Sequence, residues 1–240
     1  MYIYIYIMEG MDIDEAMRIP YMVNWCMNEA EWFKKYSRPP PILIIGTQVT
    51  GGRGDDEGHR STKNLRLMLD FNKFGADLEG YIKNRVAICD VTDNEGLAIP
   101  PVDINEDDYK FDSGFGDNPP GNENRLPDDI LIKKICENVN WILGKLKEGK
   151  HVLVHCNGGV SRSPSVVAKL IMEHNKVLFE DAKNILEETS PSAIGYPDWN
   201  RVDMSNFEDL LTNSESCSQD VSMGVGPGMG VGPGMGVMTE

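Results

Sequence analysis

Very little in this sequence favours a crosslinked, membrane-spanning or polyanion-binding protein. Five cysteines occur in 240 residues, at positions 26, 89, 136, 156 and 217. Their number is odd, they are widely scattered and no two form a C-x-x-C pair, so neither a disulfide framework nor a structural zinc site is expected. No stretch approaches the roughly 18 consecutive apolar residues that a membrane span needs. The opening Met1-Tyr2-Ile3-Tyr4-Ile5-Tyr6-Ile7-Met8 lacks the basic flank, long apolar core and small-residue cleavage site of an export signal. A soluble intracellular protein, cytoplasmic or nuclear, is expected. Positive charge is scarce as well: 23 Lys and Arg stand against 38 Asp and Glu, a formal net charge of −15. Broad nucleic-acid or anionic-membrane binding needs the opposite balance, because both depend on positive charge meeting phosphate.

A chain of this length suits one principal domain. Three short apolar runs, Pro41 to Gly46, Val86 to Val91 and His151 to His155, predict strands of a sheet covered on both faces, since none alternates with polar residues. Helices are predicted between them. One is capped by Asp128 and Asp129, carries Ile132, Ile135, Cys136, Val139, Ile142, Leu143 and Leu146 at helical spacing, and stops at Gly149. A second opens around Pro164, a third covers Glu180 to Glu188, and a weaker one lies near Thr62 to Phe71. Alternating strands and helices imply an α/β domain, a three-layer α/β/α sandwich around a largely parallel sheet. Residues 1–40 are read as an N-terminal extension and 212–240 as a flexible tail, in which the hexamer M-G-V-G-P-G recurs with too little side-chain area to offset its ordering entropy. Residues 103–129 carry nine acids among many Gly and Pro, and are read as a long acidic surface loop.

The stretch that carries chemistry is Val152-Leu153-Val154-His155-Cys156-Asn157-Gly158-Gly159-Val160-Ser161-Arg162-Ser163-Pro164. It reads as a strand, a tight loop and a helix with proline in its first turn. Cysteine six residues before arginine is a weak pattern alone; the strand-loop-helix setting gives it meaning. A loop between a strand's end and a helix's N-terminus presents backbone N–H groups and the positive end of the helix dipole, which together suit an anion. Gly158 and Gly159 let the backbone curl closely around that anion. The same field favours the thiolate of Cys156, the form that attacks phosphorus. Arg162 can grip two phosphoryl oxygens at once, which a lysine cannot.

His155-Cys156-Asn157-Gly158-Gly159-Val160-Ser161-Arg162-Ser163 resembles the H-C-x-x-G-x-S-R-S signature of the dual-specificity protein phosphatases, cysteine-dependent members of the protein tyrosine phosphatase superfamily. The resemblance runs from about Ile42 to Leu211, taken as a catalytic domain spanning 41–211. It implies a protein tyrosine phosphatase-like fold and hydrolysis of phosphotyrosine and phosphoserine or phosphothreonine monoesters, with a phosphorylated protein as substrate and no cofactor or metal. In that scheme Cys156 is the nucleophile that becomes phosphocysteine. Asn157, Gly158, Gly159, Val160, Ser161 and Arg162 bind phosphate, Ser163 stabilises the departing thiolate, and His155 tunes the thiol from behind the loop. The family also needs a carboxylic acid on another loop to protonate the leaving oxygen. Ile99-Pro100-Pro101-Val102-Asp103 resembles the family's I-P-x-x-D run and makes Asp103 the choice, with residues 104–127 as an insertion behind it. Asp107, Asp108 and Asp112 take the role if the insertion precedes the acid instead. Cys89 ends a strand expected beside Cys156, and some members of the wider family protect their nucleophile as a disulfide with such a neighbour. A buried core thiol is the competing reading for Cys89, a core histidine for His155, and a helix cap for Ser163.

Two other functions fit the same loop. An RNA 5′-triphosphatase would use the same cysteine, but the net charge and the absence of extra basic residues in the loop weigh against it, and no nucleic-acid partner is expected. A phosphate-recognition module without turnover would ordinarily lack the nucleophile or the arginine, and both are present here.

Overall fold

The computed structural model describes residues 21–47, 85–92, 104–112, 116–190 and 202–217. Its sheet has five strands: β1 (Tyr21–Val23), β2 (Leu43–Thr47), β3 (Val86–Asp90), β4 (Tyr109–Phe111) and β5 (His151–Cys156), in the spatial order β1-β2-β5-β3-β4. β2, β5, β3 and β4 run parallel, and β1 adds to one edge antiparallel to β2. The three apolar runs are the central strands. Their side chains alternate between two buried sets, which is why the runs need not alternate in polarity. Leu43, Ile45, Ala87, Cys89, Val152 and Val154 face the main core, whereas Ile44, Val86, Ile88 and Leu153 pack with Ile104 on the other face.

The main face is covered by α2 (Asp128–Glu148), α3 (Arg162–Asn175) and α4 (Phe179–Thr189), with α1 (Glu29–Tyr36) and α5 (Glu208–Asn213) beside them. In α2 the buried positions Leu131, Ile135, Asn138, Val139, Ile142 and Leu146 recur every three or four residues, making one inward stripe. Gly149 ends it at φ 92°, donating its N–H to the carbonyls of Lys145 and Leu146. Pro127 occupies the N-cap, so Asp128 and Asp129 are first-turn acids that favour the helix dipole, and not caps. The first ten residues of α3 are all buried, because this helix is sandwiched between α2, α4 and β5. The fold is thus a mostly parallel sheet layered with helices; the helix expected near Thr62 to Phe71 lies outside the described residues. So do the Tyr-Ile leader and the Gly-Met repeats. No helix among the described residues is long and apolar enough to cross a membrane.

Three features depart from the sequence reading. The stretch taken as an N-terminal extension contributes β1 and α1, and it buries Trp25 and Trp32 edge to face in the main core. The acidic stretch is not simply a loop: a 3-10 turn (Glu106–Asp108) leads into β4, which pairs with β3 at the sheet edge. β4 has three half-buried residues, one of them Lys110, and so carries no periodic signal. Cysteine pairing also occurs: Cys136 on α2 forms a disulfide with Cys217, 81 residues away and just beyond α5. The segment between α5 and Cys217 is pinned from below by buried Lys169, whose ammonium donates to the Ser214 hydroxyl at 2.8 Å and the Glu215 carbonyl at 2.9 Å. A bond between positions so far apart leaves no local spacing to read.

Candidate active site

β5 runs straight into residues 157–161 and then into α3, so the loop sits at the C-terminal end of the parallel strands. That is where open α/β sheets leave a crevice. Cys156, 2% exposed, ends the strand with its sulfur at the floor of the loop. The Gly159 N–H donates to Sγ at 3.2 Å and the Ser163 hydroxyl at 3.3 Å. Gly159 adopts φ 66°, in the left-handed region that a side chain would strain, and this turn is what aims its N–H back at the sulfur. Arg162 and Ser163 open α3, at 6% and 0% exposure, where the helix's unpaired N–H groups also lie. The arrangement puts two donors on one sulfur beside a helix N-terminus.

A carboxylate stands on the rim. The Ser161 hydroxyl donates to Asp117 Oδ1 at 2.7 Å, and the Asn206 side-chain amide donates to the same oxygen at 3.1 Å. Asp117 itself is exposed, on the loop between β4 and α2. The chain just before α5 is anchored to the cysteine loop as well, through the Asp203 N–H on the Val160 carbonyl at 3.0 Å.

Residues 120–198 match the model of the dual specificity phosphatase catalytic domain. Mouse dual specificity protein phosphatase 19 is 42% identical over 164 residues, covering 65% of this chain and 69% of that protein. The chain belongs to the dual-specificity phosphatase family. Mouse dual specificity protein phosphatase 12 is 40% identical over 67 residues, 28% of this chain, but the match spans a fifth of that relative's length, at 20%. Among solved structures, a human tyrosine phosphatase-like serine/threonine/tyrosine-interacting protein is 22% identical, with 70% of this chain and 87% of that chain covered at a TM-score of 0.44.

Of the phosphatase residues expected from the sequence, Cys156, Asn157, Gly158, Gly159, Val160, Ser161, Arg162 and Ser163 come together in one strand-loop-helix unit. Asp103 lies outside the described residues. Its three stand-ins are placed, and among the described residues none bonds to the cysteine loop. Asp107 is exposed on the 3-10 turn. Asp108 is buried before β4, held by Lys145 at 3.0 Å and by Lys150. Burial pushes its carboxyl up, but the bonds from Lys150, Lys145 and Asn105 outweigh that and hold it below the usual carboxylate range. Asp112 follows β4 and is clamped to α2 by Lys134 at 2.6 Å and Asn138 at 2.8 Å. The sequence offers only a weak signal for Asp117, an aspartate between Gly116 and Asn118-Pro119 after a strand too short to show a pattern.

Behind the loop, His155 is buried beside Asp90, its register partner on β3, with Nδ1 3.7 Å from Asp90 Oδ1. Asp90 accepts from the Tyr109 hydroxyl at 2.9 Å and the Thr92 N–H at 3.1 Å. Burial depresses the His155 pKa, against the pull of Asp90. Cys89 faces the core, donating to Asn138 Oδ1 at 3.5 Å, and burial pushes its thiol up. Its register partner on β5 is Val154, two residues short of Cys156.

Proposed function

We propose that this phosphatase hydrolyses phosphotyrosine and phosphoserine or phosphothreonine monoesters on proteins through a phosphocysteine intermediate, with Asp117 as the general acid. The observation that carries the reading is the bond between Ser161 and Asp117, which ties a carboxylate to the mouth of a loop whose floor is the Cys156 sulfur. In the first step the Cys156 thiolate attacks phosphorus, an S–P bond forms and the ester P–O bond breaks. Protonated Asp117 gives its proton to the leaving oxygen, while Arg162 meets the equatorial oxygens. In the second step Asp117, now a carboxylate, takes a proton from water as the water oxygen attacks phosphorus. The S–P bond breaks, inorganic phosphate leaves, and the thiolate is received by the Ser163 hydroxyl and the Gly159 N–H. A protein substrate is favoured over RNA by the chain's net charge of −15, which repels a polyanion.

The test is turnover of an aryl phosphate, a phosphotyrosine peptide and a phosphoserine peptide by wild type, Cys156→Ser and Asp117→Asn. Cys156→Ser should be inactive on all three. Asp117→Asn should lose about 10²- to 10⁴-fold on the serine peptide, whose alkoxide needs a proton to depart, and far less on an activated aryl ester. No turnover by reduced wild-type protein on any substrate would sink the proposal.

A further inference from the structure

Asp117 sits in a stretch of Gly116, Asn118, Pro119, Pro120 and Gly121, whose own residues give it little reason to hold one position. What holds it comes from three other places in the chain: Ser161 of the cysteine loop, whose hydroxyl donates to the carboxylate at 2.7 Å, Asn206 and Arg125. The Asn206 amide donates both to the Asp117 carboxylate, at 3.1 Å, and to the Asp117 carbonyl, at 3.3 Å, so it grips side chain and backbone of the same residue. Arg125 grips the next residue. Its Nη1 donates to the Asn118 carbonyl at 2.7 Å and simultaneously to the Asn206 carbonyl at 2.8 Å. Its Nε and Nη2 both reach Asp128 Oδ1 at 3.3 Å, and the guanidinium lies over the Phe207 ring, 5.7 Å from its centroid. The Arg125 side chain is only 7% exposed and its bonds to the Asn118 and Asn206 carbonyls are partly buried, whereas its Asp128 partner is 69% exposed.

The segment that supplies Asn206 is itself anchored. Phe207 is fully buried, and the Asp203 N–H bonds the Val160 carbonyl of the cysteine loop. Three stretches distant in sequence, 117–118, 160–161 and 203–206, are therefore joined into one rim, with Arg125 and Asn206 as its crosslinks.

We propose that Arg125 and Asn206 are positioning residues that hold Asp117 over the phosphate loop, so that the acid is set before substrate binds. This rests on the reading of Asp117 as general acid. Neither residue need touch substrate; each acts through the place it gives the carboxylate. Displacing a catalytic group by about 1 Å can cost on the order of 100-fold, so loss of either crosslink should mimic part of the loss of the acid itself.

The experiment uses the full chain and a series of aryl phosphates running from strongly activated to unactivated phenols, ending with a phosphoserine peptide. Asn206→Ala, Asn206→Asp and Arg125→Met are compared with Asp117→Asn and wild type, with inhibition by inorganic phosphate as the control on the phosphate loop. The expected result is a loss of kcat/KM that grows along the series, from about twofold on the most activated ester to tens of fold on phenyl phosphate, with phosphate inhibition unchanged within about twofold. Asn206→Asp keeps the size but removes the donor, and it should behave like Asn206→Ala. Combining Asn206→Ala with Asp117→Asn should add nothing to Asp117→Asn alone on the serine peptide. Losses equal across all leaving groups, or weakened phosphate inhibition, would mean that these residues merely shape the phosphate loop, and would overturn the proposal. So would an additive double variant. If Asp117→Asn itself shows no dependence on the leaving group while Cys156→Ser is dead, the acid assignment fails first, and the positioning proposal with it. If Asp117→Asn shows that dependence and the Asn206 variants do not, the positioning proposal fails alone.

Discussion

Removing the Ser163 hydroxyl takes away one of the two hydrogen bonds that reach the Cys156 sulfur among the described residues, the other coming from the Gly159 N–H. Ser163 is 0% exposed and Cys156 2%, so water cannot substitute for the lost donor. A hydrogen bond to a charged acceptor is worth about 1.5–3 kcal/mol. At about 1.36 kcal/mol per decade, Ser163→Ala should slow a step that creates the thiolate by roughly 10- to 150-fold. In the proposed mechanism that step is breakdown of the phosphocysteine, in which sulfur leaves. Formation of the intermediate starts from the thiolate and consumes it, so it should suffer much less. Two steps slowed unequally leave a signature: phosphocysteine accumulates, and an aryl phosphate gives a burst of phenol approaching one per active site before a slow steady state. Rapid mixing reads the burst, and mass spectrometry of acid-quenched protein finds the phosphorylated Cys156 peptide. An unchanged kcat, or a lowered kcat without burst or trapped phosphoprotein, would refute the assignment of this hydroxyl to the leaving thiolate.

The Cys136–Cys217 disulfide closes a loop of 81 residues, for which the chain-entropy limit is about 4.5 kcal/mol. Reduction should lower stability by about 2–4 kcal/mol, read as a drop in the urea midpoint that Cys136→Ser reproduces and reductant does not deepen. A midpoint that does not move when the pair is reduced would show that Lys169 and its neighbours hold the segment without it. Asp108 makes an acid-side prediction. Its folded carboxyl titrates below the unfolded one, so its contribution is present above the unfolded pKa near 4 and is lost as pH falls through the lower folded value. Asp108→Asn should therefore destabilise the protein at neutral pH and flatten the loss of stability between about pH 5 and pH 3. Parallel acid limbs in variant and wild type would count against the Lys145 and Lys150 pairing as its source.

The parts of this protein readable along the chain are those whose physics is local. β2, β3 and β5 announce themselves because burial on both faces demands unbroken apolar runs, and α2 because one inward stripe recurs every three or four residues until Gly149 turns left-handed. The cysteine loop is equally local: strand, glycine turn and helix N-terminus are contiguous from His151 to Pro164, so the donors that reach Cys156 lie within seven residues of it. β1 and α1 carry no legible pattern because three strand residues and a short helix gain their stability from packing against the sheet, not from their own sequence. β4 was hidden by its shortness and its lysine.

The amino-acid sequence by itself determined a largely parallel α/β domain with a thiol at the base of a strand-to-helix loop. Tertiary structure alone brought one described carboxylate, Asp117, against that loop, where the Ser161 hydroxyl donates to it. It turned Asp108 and Asp112 inward to lysines and Asn138, and it brought Asp117, Arg125, Ser161 and Asn206 together from four separate stretches. A carboxylate's role depends on which charges and donors end up beside it. For residues as far apart as 117 and 206, only the closed fold chooses those neighbours.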